Sequence, residues 1–96
     1  MTHRVVYAPR TVRDLEKVHA YLANETKDRT VADRFISQLL AACANLETLP
    51  ERFAVYPYAR TWRMMPFGDY LVFFQVHANT TLIGHVRHAA RRPFGG

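Results

Sequence analysis

The sequence has one cysteine, few acidic side chains and no long apolar run, and each shortage excludes some classes of protein. Cys43 alone cannot form an internal disulfide or a thiolate metal cluster, which is typical of a protein in a reducing compartment. No segment approaches the roughly 18 consecutive apolar residues that a membrane span requires. Residues 1–4 lead into a strand-like stretch, unlike a signal peptide. We therefore expect a cytoplasmic protein without a membrane partner.

The histidines do not form a metal-binding pattern. Four of them, His3, His19, His77 and His85, are scattered along the chain without the spacing of zinc ligands. The sequence thus predicts no metal site, and no motif calls for a cofactor.

What the chain does have is enough apolar sequence for one small domain and an uneven surplus of positive charge. Its 96 residues are 49% hydrophobic, so residues 1–96 are expected to form a single domain. The formal net charge is +5; residues 1–50 carry seven basic and six acidic side chains, whereas residues 51–96 carry six and two. This imbalance favours a surface that meets an anionic partner, nucleic acid or acidic protein, with a merely solubilising surface as the alternative.

The first half of the chain predicts a short strand and two helices. Residues 3–7 have strand composition, and the stripe that follows predicts a first helix over about residues 9–24 and consists of Val12, Leu15, Val18 and Leu22. If this helix starts slightly later, Thr11 with Asp14 is a candidate capping pair, and Thr30 is the expected N-cap of a second helix. The second stripe runs to Pro50 and consists of Val31, Phe35, Leu39, Ala42, Leu46 and Leu49. The short loop between them predicts an antiparallel helical hairpin.

The second half predicts three strands. After an irregular connector over residues 50–60, short apolar runs at residues 61–65, 70–76 and 82–88 are separated by turn residues, which is typical of an antiparallel meander. Residues 70–74 are apolar throughout, which indicates a central strand covered on both faces. The basic tail over residues 89–96 is expected to be partly mobile. The expected fold class is therefore α+β.

Five short motifs resemble, in order, those of the RelE/ParE family of toxins from bacterial type II toxin–antitoxin systems, and most of all its ParE branch. They are Tyr7-Ala8-Pro9 followed by Asp14-Leu15; Ala32-Asp33-Arg34-Phe35; Leu46-x-x-Leu49-Pro50; the run Arg63 to Phe73 around Pro66-Phe67-Gly68-Asp69-Tyr70; and Val86-Arg87-His88-Ala89-Ala90-Arg91-Arg92. The resemblance spans nearly the whole chain and implies the RelE/ParE fold.

The resemblance implies growth arrest by one of two activities. RelE-like members cleave messenger RNA on the ribosome, and for this reaction the candidate residues are Arg63, Arg87 and His88, as phosphate clamps and proton carrier. Active RNA-cleaving relatives usually add a C-terminal tyrosine or a carboxylate near this histidine. Here Ala89 follows His88 and no tyrosine follows Tyr70, so the ribonuclease set is incomplete.

ParE-like members instead poison DNA gyrase, which requires a recognition surface and no catalytic set. The candidate target-binding residues lie in the basic C-terminal segment and are Arg87, His88, Arg91, Arg92 and Phe94. We therefore favour gyrase inhibition, with ribosome-dependent RNA cleavage as the alternative and a relative that has lost toxicity as a third possibility.

The resemblance also implies a protein partner, a cognate antitoxin with an acidic, disordered segment. Such a segment would gain charge neutralisation and apolar burial on this chain. The candidate antitoxin-binding residues are Leu15, Tyr21, Leu22 and Trp62.

Overall fold

The computed structural model describes residues 2–93, which form two helices and one four-stranded sheet. In chain order the elements are β1 (Arg4–Tyr7), α1 (Pro9–Thr26), α2 (Arg29–Ala44), β2 (Arg63–Phe67), β3 (Tyr70–His77) and β4 (Thr80–His88). The predicted α+β fold, with its helical hairpin and three-stranded meander, is confirmed. The sheet order is β1-β4-β3-β2; β1 runs parallel to β4, and the other two pairs are antiparallel.

Helix α1 begins as the sequence predicts but without the suggested cap. Pro9 occupies its first turn, where the missing N–H costs nothing. No side chain caps this end, so the interpretation of Thr11 and Asp14 as a capping pair is wrong. Both side chains instead bind β4: the Thr11 hydroxyl donates to the carbonyl of Ile83 (2.7 Å), and the Asp14 carboxylate accepts from the N–H of Val86 (3.1 Å).

Helix α2 differs from its prediction at both ends. Its N-cap is Asp28, whose carboxylate accepts from the N–H of Thr30 at 2.9 Å, so Thr30 lies inside the helix. The α-helix ends at Ala44, and tighter 3-10 turns follow at Asn45–Glu47 and Pro50–Arg52. Leu49 adopts a left-handed conformation (φ 45°) and is 67% exposed, so the apolar stripe does not continue to Pro50 as one helix.

The main core lies between the helices and one face of the sheet. Leu39, Leu46, Val72, Phe74 and Ile83 are all completely buried there. The outer ends of the predicted stripes are solvent-exposed, at Val12 in α1 and Val31 in α2. The predicted central strand is confirmed as β3, which lies between β4 and β2.

Two functional groups in this core are held in their neutral forms. Cys43 of α2 is buried. Burial raises the pKa of its thiol to about 11. Burial also raises the pKa of the neighbouring Tyr7 phenol to about 12, and the thiol acts in the same direction. Both groups therefore stabilise the core as uncharged side chains near neutral pH.

A second, smaller core covers the other face of the sheet. The connector between α2 and β2 packs Tyr56 on Phe73, with ring centroids 4.7 Å apart. Trp62, at the end of the connector, lies against Gly84, where a Cβ atom would approach the indole ring to 2.3 Å. The register between Phe73 and Phe74 shifts opposite this glycine, which is typical of a β-bulge. The connector, which was predicted to be irregular, therefore covers this face of the sheet.

No helix in residues 2–93 is both long enough and apolar enough to cross a membrane.

Candidate functional site

The candidate site forms where β4 extends beyond its parallel neighbour. Strand β1 pairs only with residues 80–83 of β4, so residues 84–88 have no strand on that side. Helix α1 takes this place, and its Asp14 carboxylate binds the Val86 N–H, which no strand reaches on this side. The Thr11 hydroxyl binds the Ile83 carbonyl at the end of the paired stretch, where the N–H of Ala8 also donates to it. Because an unpaired buried backbone group is costly, the Asp14 contact fixes the helix against the open end of β4.

A groove of about 410 Å³ lies between α1 and this end of β4. We call it the basic groove. Its walls are Asp14, Lys17, Val18 and Tyr21 from α1, Tyr70 from β3, and Val86, Arg87, His88 and Arg91 from β4 and the segment after it.

The charge of the basic groove is positive. Lys17, Arg87 and Arg91 are three cations against one carboxylate, that of Asp14. One oxygen of this carboxylate accepts a hydrogen bond from the Val86 N–H, so part of the carboxylate is engaged by β4. Lys17 and Arg91 are exposed. The groove is therefore suited to an anionic group.

Aromatic rings form the remainder of the groove. Tyr70 is 7% exposed, and its ring contacts the imidazole of His88 edge-on, at a centroid distance of 5.3 Å. Burial, with smaller contributions from Tyr21 and Asp69, raises the pKa of the Tyr70 phenol. Tyr70 is thus a neutral phenol near neutral pH. Tyr21, in contrast, is 56% exposed and can receive a ligand.

The segment after β4 is held by its own hydrogen bonds. The N–H of Ala90 donates to Nδ1 of His88 (3.1 Å), and the N–H of Arg91 donates to the His88 carbonyl (3.0 Å). With Nδ1 as acceptor, a neutral imidazole carries its proton on Nε2. A guanidinium nitrogen of Arg87 donates to the Arg92 carbonyl at 2.9 Å. These hydrogen bonds tie residues 90–92, the described start of the basic tail, back to Arg87 and His88.

The structure brings three of the five predicted target-binding residues together. Arg87, His88 and Arg91 line the basic groove. Arg92 is not part of its wall, although its carbonyl binds Arg87. Phe94 lies outside the described residues.

Arg63, the third candidate for RNA cleavage, lies elsewhere. It pairs with Phe74, whereas His88 pairs with Tyr70, four positions further along the ladder, or about 13 Å along the strand. Its Nη1 donates to the carbonyls of Glu51 (3.1 Å) and Phe53 (2.8 Å). Arg63 therefore fastens the connector, and the structure does not bring it together with Arg87 and His88.

The four predicted antitoxin-binding residues do not share one surface. Leu15 lines a second groove, of about 320 Å³, whose walls are Val12, Leu15, Glu16, His19 and Ile36. We call it the apolar groove. Tyr21 lines the basic groove, Leu22 packs against the main core, and Trp62 belongs to the second core. Next to the apolar groove, His19 and Asp33 join the two helices through a contact of 2.6 Å.

Sequence reasoning missed Lys17 and Asp14 as site residues. Asp14, Lys17, Val18 and Tyr21 follow the spacing of one helix face, which was the available signal. The spacing did not identify this face as a site because its apolar member, Val18, also belongs to the predicted core stripe. Residues 2–93 contain no cluster of three or more His, Cys, Asp or Glu side chains that could hold a metal ion.

Comparisons with known proteins agree with this architecture. The family model described as ParE toxin of type II toxin-antitoxin system, parDE, matches residues 5–93. A solved structure titled "Chromosomal ParDE TA system from P. aeruginosa" is similar in fold, with a TM-score of 0.79 over 91% of this chain and 96% of that chain, at 11% sequence identity. No curated protein sequence matches the chain.

Proposed function

Since the chain belongs to the ParE toxin family of type II toxin–antitoxin systems, we propose that it arrests growth by inhibiting DNA gyrase and that a cognate antitoxin neutralises it. A gyrase poison needs no reaction of its own. It must bind one state of the enzyme–DNA complex more tightly than the others, and so increase the population of that state.

The basic groove is the observation that carries this proposal. It collects Arg87, His88 and Arg91, which the sequence had marked as target-binding, and adds Lys17 and Tyr21 from another element. Arginines that converge with an exposed tyrosine are typical of the residues that dominate the energy of protein interfaces. The carboxylates of gyrase or the phosphates of its DNA would both be suitable partners.

The alternative, RNA cleavage on the ribosome, has less support. A ribonuclease site requires its acid, base and phosphate clamps around one reacting phosphate. Of the three candidates, Arg87 and His88 share a groove, whereas Arg63 is engaged by the carbonyls of Glu51 and Phe53. This engagement gives Arg63 a structural role that explains its presence without catalysis.

The proposed antitoxin contact is the apolar groove on the helical hairpin. Leu15, Val12 and Ile36 offer apolar surface there, and Val12 is 51% exposed. An amphipathic helix of the antitoxin would cover this surface, and the net charge of +5 favours an acidic partner.

The test is a gyrase assay with purified protein freed of antitoxin. We expect loss of supercoiling and accumulation of cleaved plasmid trapped on gyrase, reversed when antitoxin is added. An in-vitro translation reaction run in parallel should be unaffected.

Arg63→Lys serves as the matched variant, because it keeps the positive charge but not the planar guanidinium. The proposal predicts full trapping activity per folded molecule for this variant. Normal gyrase turnover together with cut messenger RNA would overturn the proposal in favour of the ribonuclease alternative. Normal turnover and normal translation would indicate a relative that has lost toxicity.

A further inference from the structure

We propose that the basic groove binds an unpaired nucleotide of DNA, with Lys17, Arg87 and Arg91 at the phosphates and Tyr21 against the base. The inference rests on the proposed function, because it names the part of the gyrase–DNA complex that the toxin would contact. It is also measurable without gyrase.

The positive charge accounts for the phosphates. The three cations come from two elements, Lys17 from α1 and the arginines from β4 and the turn that follows it. Arg87 also donates to the Arg92 carbonyl, so that its guanidinium is held in place. Guanidinium groups suit phosphate recognition through planar N–H donors, while the Lys17 ammonium contributes a point charge beside them.

The aromatic rings account for the base, and they distinguish a nucleotide from an acidic peptide. Acidic side chains would require only the cations. A base requires a flat apolar surface next to the charge, which is how proteins hold single-stranded nucleic acid. Tyr21 supplies this surface, since it is 56% exposed beside Lys17 and Arg91, whereas Val18 and Val86 line the groove almost fully buried.

The dimensions favour one unpaired nucleotide over a duplex. A volume of about 410 Å³ lies within the ordinary range of small-ligand sites. A base that remains paired and stacked inside a duplex cannot reach such a groove unless it is flipped out. DNA held in a cleaved state presents strand ends, where an unpaired nucleotide is least costly to provide.

Fluorescence anisotropy of a labelled oligothymidylate of about 12 nucleotides tests the inference directly. We expect salt-dependent binding, and weaker binding of a duplex of the same length. Lys17→Ala and Arg91→Ala should each reduce the salt slope by roughly 0.7, the value for one phosphate contact on a single strand. Tyr21→Ala should weaken binding about 5-fold or more, while Tyr21→Phe retains it, because stacking needs the ring and not the hydroxyl.

Matched controls lie elsewhere on the surface. Arg34 is an exposed cation on α2, and Tyr58 is 60% exposed in the connector. Arg34→Ala and Tyr58→Ala should leave affinity for the oligonucleotide unchanged. Equal losses for control and groove variants would overturn the inference, since binding would then be spread over the surface. Equal competition by polyglutamate would overturn it too, because only charge would be recognised, and so would tighter binding of RNA than of DNA.

Gyrase trapping by the same variants separates this inference from the proposed function. Oligonucleotide binding without trapping would leave the nucleotide site intact and refute the proposed function. Trapping without oligonucleotide binding would refute the nucleotide site, and the groove would then meet gyrase protein.

Discussion

Helix α1 carries two grooves of opposite character on opposite sides. The basic groove takes Asp14, Lys17, Val18 and Tyr21 from it, and the apolar groove takes Val12, Leu15, Glu16 and His19. The two sets have the same helical spacing and are offset by two residues, which is about 200° around a helix. One helix of 18 residues thus presents two separate surfaces, and three residues of its predicted apolar stripe, Val12, Leu15 and Val18, line them.

The difference shows how a domain of 96 residues can offer separate sites to two partners. A charged groove with exposed tyrosine recognises anionic chemistry, whereas an apolar groove gains its binding energy from burial. If each groove serves one partner, variants in one should leave the function of the other intact. Of the four predictions that follow in order of decreasing effect, two test this separation and two test the contacts between α1 and β4 beside the basic groove.

The largest effect is expected from reversing the charge of the basic groove. Lys17→Glu combined with Arg91→Glu should reduce gyrase trapping roughly 100-fold, because two charge-assisted contacts become repulsive. The reduction is measured as the shift in the toxin concentration that is needed to trap cleaved plasmid. Antitoxin affinity, measured by calorimetry, should change far less. The matched control is Arg29→Glu with Arg34→Glu on α2. Equal losses of trapping and of antitoxin affinity would mean that both grooves serve one partner.

The next effect concerns the hydrogen bond that joins the α1 wall of the basic groove to β4. Asp14→Ala removes the acceptor of the Val86 N–H and should lower the free energy of unfolding by about 1–3 kcal/mol. Glu16→Ala removes a carboxylate of the same helix that lines the apolar groove and should change stability by less than about 0.5 kcal/mol. Urea unfolding of the three proteins provides the comparison. Similar stabilities for both variants would show that Asp14 does not fix α1 to β4.

A smaller effect is expected at the apolar groove. Val12→Asp places a charge on exposed apolar surface, so it should weaken antitoxin binding about 10-fold without reducing gyrase trapping. Val31→Asp makes the same change at a valine of α2 that is 40% exposed and outside this groove. It should leave antitoxin affinity unchanged. Unaltered antitoxin binding by Val12→Asp would remove the apolar groove from the proposed interface.

The smallest effect concerns His85, close to the edge that α1 covers. Burial lowers its pKa, Arg10 and Arg87 act in the same direction, and Asp14 opposes them. Because the folded state binds this proton less well, the stability that neutral His85 contributes is present above its ordinary pKa of 6.5 and is lost as the pH falls through the lower folded value. Unfolding measured on both sides of pH 6.5 should therefore show less pH dependence in His85→Gln than in the parent. His77→Gln, at an exposed histidine, is the control and should retain the parent's pH dependence.

The sequence was a good guide wherever a local pattern has one structural outcome. The 3.6-residue stripes predicted both helices, and turn residues between apolar runs predicted the meander. It was a poor guide to the helix ends, where alternatives compete within a few residues. Asp28 caps α2 in place of Thr30, and Leu49 leaves the stripe because the chain tightens after Ala44.

For the site, the sequence identified the basic segment but not the residues of α1 that lie beside it. Arg87, His88 and Arg91 are adjacent in the chain and were found by composition. Lys17 and Tyr21 join them only because α1 replaces a strand along the end of β4. No local signal could have brought these groups together.

By itself, then, the sequence determined the α+β fold class, the order of the elements, the resemblance to the ParE branch and the unequal distribution of charge. The fold class, the order of the elements and the charge distribution follow from short-range periodicity and composition, which each segment carries independently. The resemblance follows from the order of five short motifs. Only the tertiary structure decided that β1 stops short of the end of β4, that Asp14 binds the edge left uncovered there, and that Arg63 fastens the connector instead of joining His88. The reason is physical: backbone groups left unpaired by one element must be satisfied by another that lies distant in sequence, and packing alone chooses which one.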